Sequence, residues 1–396
     1  MTEKTAKSQA WRFIILLGLV SLFADMTYEG ARGIAGPYLL LLGASGTAVG
    51  FAAGAGELIG YGLRLVSGWI SDKTRRYWLI TISGYTLNLL AVPLLALAGR
   101  WEIAIALLIL ERTGKAIRSP ARDAMLSHAT AEVGHGWGFG FHEAMDQIGA
   151  TLGPLIIAFA LYAGKTHRFA FALLAIPALC ALAALGVARF QFPLPEKLEV
   201  KRPVLETAGF SRRFWIYVAA ASLVGAAFAD FPLVAYHFQK EAIAGPAWIP
   251  IFYATAMGID AVAALVLGRL FDRLGLRTVA WVTLVSAFFA PLVFLGGFRL
   301  ALLGMAFWGI GMGAQESIMR AAVASMVPSY RRATAFGILN MSFGLAWFGG
   351  SVLMGFLYDR SIPLLVAFSI GLQLIAVPLF LAVGRIADSG STSRPE

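Results

Sequence analysis

A single cysteine, Cys180, stands in a chain of 396 residues, and it lies within an apolar run. It excludes an internal disulfide and any multi-cysteine metal site. Charge is equally scarce, at 14% of residues against roughly 25% in a soluble domain. There is no glycine-rich phosphate loop ending in Lys-Ser/Thr, so ATP-driven pumping has no support, and no His-Glu-x-x-His on a helix. No Ser-His-Asp order stands out either, so the chain reads as a protein without catalytic chemistry and without a cofactor or bound metal. A removable signal peptide is not expected, because no small-residue cleavage site follows the short polar segment Met1–Arg12.

Apolar residues are what the chain has in abundance: 59% of the total, with mean hydropathy +0.74. Runs near the ~20 residues that cross a bilayer recur along the whole length. They predict an all-α integral membrane protein of about twelve spans: 12–33, 46–70, 78–98, 101–121, 136–163, 168–190, 212–238, 247–270, 277–297, 299–320, 332–357 and 361–386. The longest polar break, 191–211, separates an N-terminal six-helix bundle (1–190) from a C-terminal one (212–396) that ends in a short polar tail. Lys and Arg concentrate in alternate connections, such as Lys73, Arg75 and Arg76, then Arg118 and Arg122, then Arg273 and Arg277, then Arg331 and Arg332. The positive-inside rule then places both termini and the linker in the cytoplasm. The net charge of +10 is thus mostly topological, which argues against nucleic acid as a partner.

The halves repeat. Gly68-x-x-x-Asp72-Lys73 closes the second span and Gly268-x-x-x-Asp272-Arg273 the eighth, 200 residues on; Gly153 matches Gly350 at an offset of 197. Parallel halves with a site near mid-membrane describe a transporter. On these residues the chain resembles the major facilitator superfamily over nearly its whole length. That family's loop signature, Gly-x-x-x-Asp-Arg/Lys-x-Gly-Arg-Arg/Lys, reads here Gly68-x-x-x-Asp72-Lys73-Thr74-Arg75-Arg76, with Arg75 where the second glycine is usual. The resemblance implies gating roles for Gly68, Asp72, Lys73, Arg76, Gly268, Asp272 and Arg273. Gly140, Gly149, Gly153 and Pro154 also match the span-five glycine motif of the family's antiporters, with Ile157-Ala158 in place of its final Gly-Gly. Arg112 with Gly114 resembles the arginine of span four. Together these imply proton-coupled efflux.

Ionisable groups at membrane depth are costly and mark transport paths. In the fifth span His142, Asp146, Gly149 and Gly153 are spaced +4, +3, +4 on one helical face, with Glu143 beside them. The first span carries Asp25, Glu29 and Arg32, the second Glu57 and Arg64, the fourth Glu111, Arg112 and Lys115. Arg118, Arg122 and Asp123 follow at the end of the fourth apolar run, where snorkelling is easy, and are assigned to the gate. Each Asp, Lys or Arg at a helix centre costs about 2.5–3.5 kcal/mol. Several facing lipid would exceed a typical net stability of ~5–15 kcal/mol, so they must face inward and largely pair. Six deep acids (Asp25, Glu29, Glu57, Glu111, Glu143, Asp146) against four bases (Arg32, Arg64, Arg112, Lys115) leave a surplus of carboxyls for proton exchange.

The C-terminal half replaces His142, Glu143 and Asp146 by Leu339, Asn340 and Phe343 at the 197 offset. Asp230, Gln315, Glu316, Trp308, Asn340, Phe343 and Trp347 are assigned to an aromatic substrate wall there, and proton coupling to the N-terminal half. The expected partners are a small-molecule substrate, protons and the lipid of the inner membrane, with the chain a monomer. Two alternatives stay open. One is a proton-coupled symporter for uptake; the other is an exporter of a divalent cation held by His142, Glu143 and Asp146 with Asp25 or Glu29.

Overall fold

The structure, a computed structural model, describes residues 3–133, 135–193, 210–327 and 332–391. Most of the expected linker (194–209), the tail from 392, and the side-chain positions at Asp72, Gly140, Glu316, Arg331 and Arg332 lie outside the described residues. Among the described residues there is no β-strand. A chain in hydrocarbon has no water to satisfy its backbone groups, and a helix satisfies them within the segment.

The helices are α1 (Glu3–Leu41), α2 (Gly46–Thr74), α3 (Tyr77–Leu94), α4 (Trp101–Val133), α5 (His135–Tyr162), α6 (His167–Leu173), α7 (Ala175–Gln191), α8 (Arg212–Ala227), α9 (Phe231–Lys240), α10 (Trp248–Leu274), α11 (Leu276–Ser286), α12 (Phe289–Phe294), α13 (Phe298–Glu316), α14 (Ile318–Met326), α15 (Arg332–Arg360) and α16 (Ile362–Ser391). Among the described residues, nine stretches, from Lys7–Leu41 to Ile362–Gly384, are long and apolar enough to cross a membrane. α4 is not among them, because Glu111, Arg112, Lys115, Arg118 and Arg122 interrupt its apolar run.

Four expected spans are not single helices. α6/α7, α8/α9, α11/α12 and α13/α14 each break. In three of the four, a proline opens the second piece: Pro177 in α7, Pro232 in α9 and Pro291 in α12. Proline supplies no N–H to the carbonyl four residues back and clashes with it, while its fixed φ suits a new first turn. α4 runs beyond its expected end at 121 to Val133, through good helix formers such as Ala121, Ala124 and Met125.

The chain divides into two compact units. One comprises Met1–Ala44, Ile59–Lys201 and Ala244–Ala254, and the other Ser45–Leu58, Arg202–Ile243 and Thr255–Glu396. In the first, α1 packs against α4, α5 and α7, and α3 pairs with α4. Gly149 and Gly153 face α1 so closely that a Cβ on either would strike the carbonyl of Leu22 or Met26. Gly84 and Gly114 bring α3 onto α4 in the same way. In the second unit α8 packs against α15 and α16. A Cβ on Gly350 would strike the Ala226 carbonyl, repeating the Gly153–Met26 approach 197–200 residues on.

Candidate functional site

The deep charges of the first unit gather between α1, α4 and α5. Asp25 (6% exposed), Glu29 (7%) and Glu111 (6%) are buried carboxylates. On α1, spacings of +4 and +4 put Ser21, Asp25 and Glu29 on one face, turned towards α4 and α5. The pairs around Glu29 are loose. Lys115 Nζ stands 3.9 Å from one carboxylate oxygen and Arg32 Nη1 3.8 Å from the other. Both distances exceed a hydrogen bond. The Tyr253 hydroxyl, from the start of α10, donates to Glu29 Oε2 at 2.5 Å. Arg112 Nε lies 3.5 Å from Glu111 Oε2, and Asn88 Nδ2 donates to Glu111 Oε1 at 2.8 Å and to its backbone carbonyl at 3.0 Å. Lys115 also sits 3.9 Å over the Tyr28 ring, a cation–π contact in keeping with its burial.

A second cluster lies one turn away. Ser21 Oγ is 2.9 Å from His142 Nε2, and His142 Nδ1 is 3.5 Å from Asp146 Oδ2. Arg122 Nη1 donates to Ser21 Oγ at 3.1 Å. One direction of donation satisfies the set: Arg122 N–H to Ser21, Ser21 O–H to His142 Nε2, and the Nδ1–H of neutral His142 towards Asp146. Arg122 also donates to Asp123 Oδ1 through Nε at 2.9 Å and Nη2 at 2.7 Å. Asp146 and Asp25 bear on each other electrostatically, so the two clusters form one charged region.

Two expectations are corrected. Arg118 and Arg122 do not snorkel. Arg118 is 1% exposed and lies 4.0 Å over the Tyr85 ring, and Arg122 reaches back to α1. The cause is the length of α4, which continues to Val133 and so holds both residues inside the bundle. The expected surplus of acids therefore disappears. Among the described residues, and outside α2, which brings one acid and one base (Glu57 and Arg64, both half-buried), the buried or half-buried groups of this half are Arg32, Arg112, Lys115, Arg118 and Arg122 against Asp25, Glu29, Glu111 and Asp146. Glu143, grouped with the deep acids, is exposed and meets Gln147 Nε2 at 3.4 Å. Its 100° offset from His142 carries it off the packed face. Among the described residues no group of three or more His, Cys, Asp or Glu side chains could hold a metal ion.

Around the loop signature, Lys73 Nζ lies 4.8 Å over the Trp69 ring, a Cβ on Gly68 would lie 3.5 Å from Pro120, and Arg76, Asp272 and Arg273 are exposed. A Cβ on Gly268 would meet open space. Arg75 adopts φ 54° and its counterpart Gly275 φ 58°, the left-handed region that favours glycine. Pro154 stays inside α5 without breaking it.

In the second unit the α8/α9 break supplies a site. Ser369 Oγ donates to the freed Ala227 carbonyl at 2.7 Å, and Trp308 Nε1 to that of Ala229 at 2.9 Å. Asp230, at the start of α9, accepts from Trp347 Nε1 and Ser351 Oγ, both at 2.8 Å. Phe228 packs between Trp308 and Trp347, and Phe343 lies 5.3 Å from Trp347. The fold thus brings Asp230, Trp308, Phe343 and Trp347 together, while Gln315 and Asn340 are half-buried on α13 and α15.

Sequence reasoning missed Ser21, Asn88, Tyr85 and Tyr253. Ser21 was accessible by spacing, as the polar residue one turn before Asp25. Tyr253 was not, since an aromatic residue in an apolar helix announces nothing about a carboxylate 224 positions away.

A model of the Major Facilitator Superfamily matches residues 17–296 and 247–396. An uncharacterized protein of Mycobacterium tuberculosis is 42% identical over 389 residues, covering 96% of this chain and 95% of its own length. An uncharacterized MFS-type transporter of Methanocaldococcus jannaschii is 26% identical, covering 93% and 94%. Among solved structures, the nucleoside transporter NupG superposes with a TM-score of 0.75 at 12% identity, covering 94% of this chain and 98% of its own. A POT family transporter in complex with 5-aminolevulinic acid superposes with a TM-score of 0.74 at 14% identity, covering 97% of each chain. At such identities the likeness is one of fold.

Proposed function

This chain belongs to the Major Facilitator Superfamily, and from that premise we propose that it moves a small molecule across the cytoplasmic membrane by alternating access, in exchange for protons. Both termini lie in the cytoplasm in this reading, and the six-span halves joined by 191–211 are its working parts. The observation that carries it is the buried region of Asp25, Glu29, Glu111 and Asp146 against Arg32, Arg112, Lys115, Arg118 and Arg122. The described ion pairs of Glu29 and Glu111 are long, at 3.5–3.9 Å. A proton or a charged substrate group can enter such a set by replacing one member, so the two compete. The Gly149, Gly153 and Pro154 motif supports export as the direction. The packed aromatic wall at Asp230 suits the apolar part of a substrate.

The test is a proteoliposome assay with a lumenal pH dye and a panel of small-molecule classes. With an acid interior preset, addition of a transported compound dissipates the gradient in the wild type. Asp25→Asn and Asp146→Asn, singly and together, reduce that proton flux at least tenfold, whereas Glu143→Gln, on the exposed face, leaves it within about twofold. Full flux in the Asp25→Asn/Asp146→Asn double variant would sink the coupling assignment. External acid driving accumulation instead would replace export by uptake.

A further inference from the structure

Tyr253 has no place in the scheme above, yet it makes the shortest described contact to a buried carboxylate of the charged region. It is fully buried, as are Ile249 and Phe252 beside it. Pro250, one turn earlier, lies 3.4 Å from where a Gly33 Cβ would stand, so the first turns of α10 rest on α1 at Gly33 and Glu29. After Ala254 the helix changes company. Ala244–Ala254 belongs to one compact unit and Thr255 onward to the other, where a Cβ on Gly309 would strike the Ala256 carbonyl. The seat on α1 combines apolar packing with the hydrogen bond from Tyr253 to the charged Glu29, a bond roughly twice as strong as one to a neutral acceptor. Its acceptor is also the group that Lys115 and Arg32 approach without closing.

We infer that Tyr253 is a positioning residue that reports the state of Glu29 to α10. While Glu29 is a free carboxylate it holds the phenol and seats the first turns of α10 on α1; a proton or a cationic substrate group on Glu29 weakens that bond and releases them. The charged groups that face Glu29 are Asp25 and Arg32 on α1, and Glu111, Arg112 and Lys115 on α4. They set the pH at which release occurs, while Tyr253 converts it into movement. The functional consequence rests on the transport reading, but the contact can be tested without any substrate.

The full-length protein in liposomes carries Cys180→Ser and one reporter cysteine: Ala254→Cys in the seated turns, or Ala263→Cys further along α10 as a control. N-ethylmaleimide labelling is followed, and the ratio of the two reporters cancels the thiol's own pH dependence. The expected ratio rises about tenfold from pH 7 to pH 3, a window that reaches below the ordinary carboxylate range, with Tyr253 intact. In Tyr253→Phe and in Glu29→Gln it is high throughout and loses its pH dependence, and the double variant goes no further than either single one. Glu29→Asp, which keeps the charge but withdraws it by a methylene, gives an intermediate ratio and serves if Tyr253→Phe does not fold. A ratio unaffected by these substitutions, effects that multiply in the double variant, or an equal rise at Ala263→Cys would each overturn the inference. Loss of proton flux with the labelling pattern intact would instead count against the transport reading alone.

Discussion

Arg75 occupies a backbone position that costs an L-residue energy for no visible gain. Its φ of 54° matches the 58° of Gly275 at the equivalent loop, and its side chain is exposed. The left-handed conformation costs a residue with a Cβ roughly 1 kcal/mol relative to glycine. Arg75→Gly is therefore expected to stabilise the protein by about that amount, less the entropy glycine adds to the unfolded chain. Thermal unfolding in detergent would register this as a small rise in melting temperature, and a fall would show that the guanidinium makes a compensating contact. The same scale explains what single residues disclosed. Departure from the loop signature at position 75 was visible in the sequence, but the backbone conformation that makes glycine usual there was not. Arg118 shows the converse. Its position near the end of an apolar run suggested an easy route to water, yet the helix continued through residues of good propensity and kept the charge over Tyr85.

At the scale of elements, the broken helices decide where polar groups are placed. The α8/α9 break frees carbonyls that hydrocarbon cannot satisfy, and Trp308 and Ser369 answer them. Removing a partner from a buried acceptor costs about 1–3 kcal/mol. Trp308→Phe, which keeps an aromatic ring against Phe228, should destabilise by that amount, measured by thermal unfolding, while Trp281→Phe on an exposed face (62% exposed) should change little. Equal effects would mean that the indole acts through packing alone. The breaks were partly legible. Pro177, Pro232 and Pro291 sit where a second helical piece starts, but Pro37, Pro93, Pro120, Pro154 and Pro378 lie inside unbroken helices. A proline thus permits a break, and the surrounding packing decides whether one forms. Tertiary contact also separated the charged residues of α5. The 3.6-residue period correctly grouped His142 with Asp146, but which neighbour each would meet depended on Ser21 and Arg122, more than 100 positions apart.

On the scale of the whole molecule, the internal repeat is a statement about packing as much as about ancestry. Gly153 against Met26 and Gly350 against Ala226 are equivalent approaches of α5 to α1 and of α15 to α8, and each lets two backbones meet without intervening side chains. Small residues serve this purpose in membranes because no hydrophobic force drives helices together there, leaving close packing to do so. The apolar runs and the repeat were readable from the chain because they are periodic. The identity of the facing backbone was not, because it depends on contacts far apart in sequence. The repeat makes the prediction symmetrical. Gly153→Val and Gly350→Val should each destabilise their own unit by at least the roughly 1–3 kcal/mol of an overpacked core, because the obstruction is a carbonyl that cannot rotate away. Gly186→Val and Gly371→Val, where a Cβ would meet open space, should stay within about 1 kcal/mol of wild type. Melting temperature and monodispersity on size exclusion measure all four. If only one of the tight pair proved sensitive, the two units would share a sequence pattern without sharing the packing that the pattern serves.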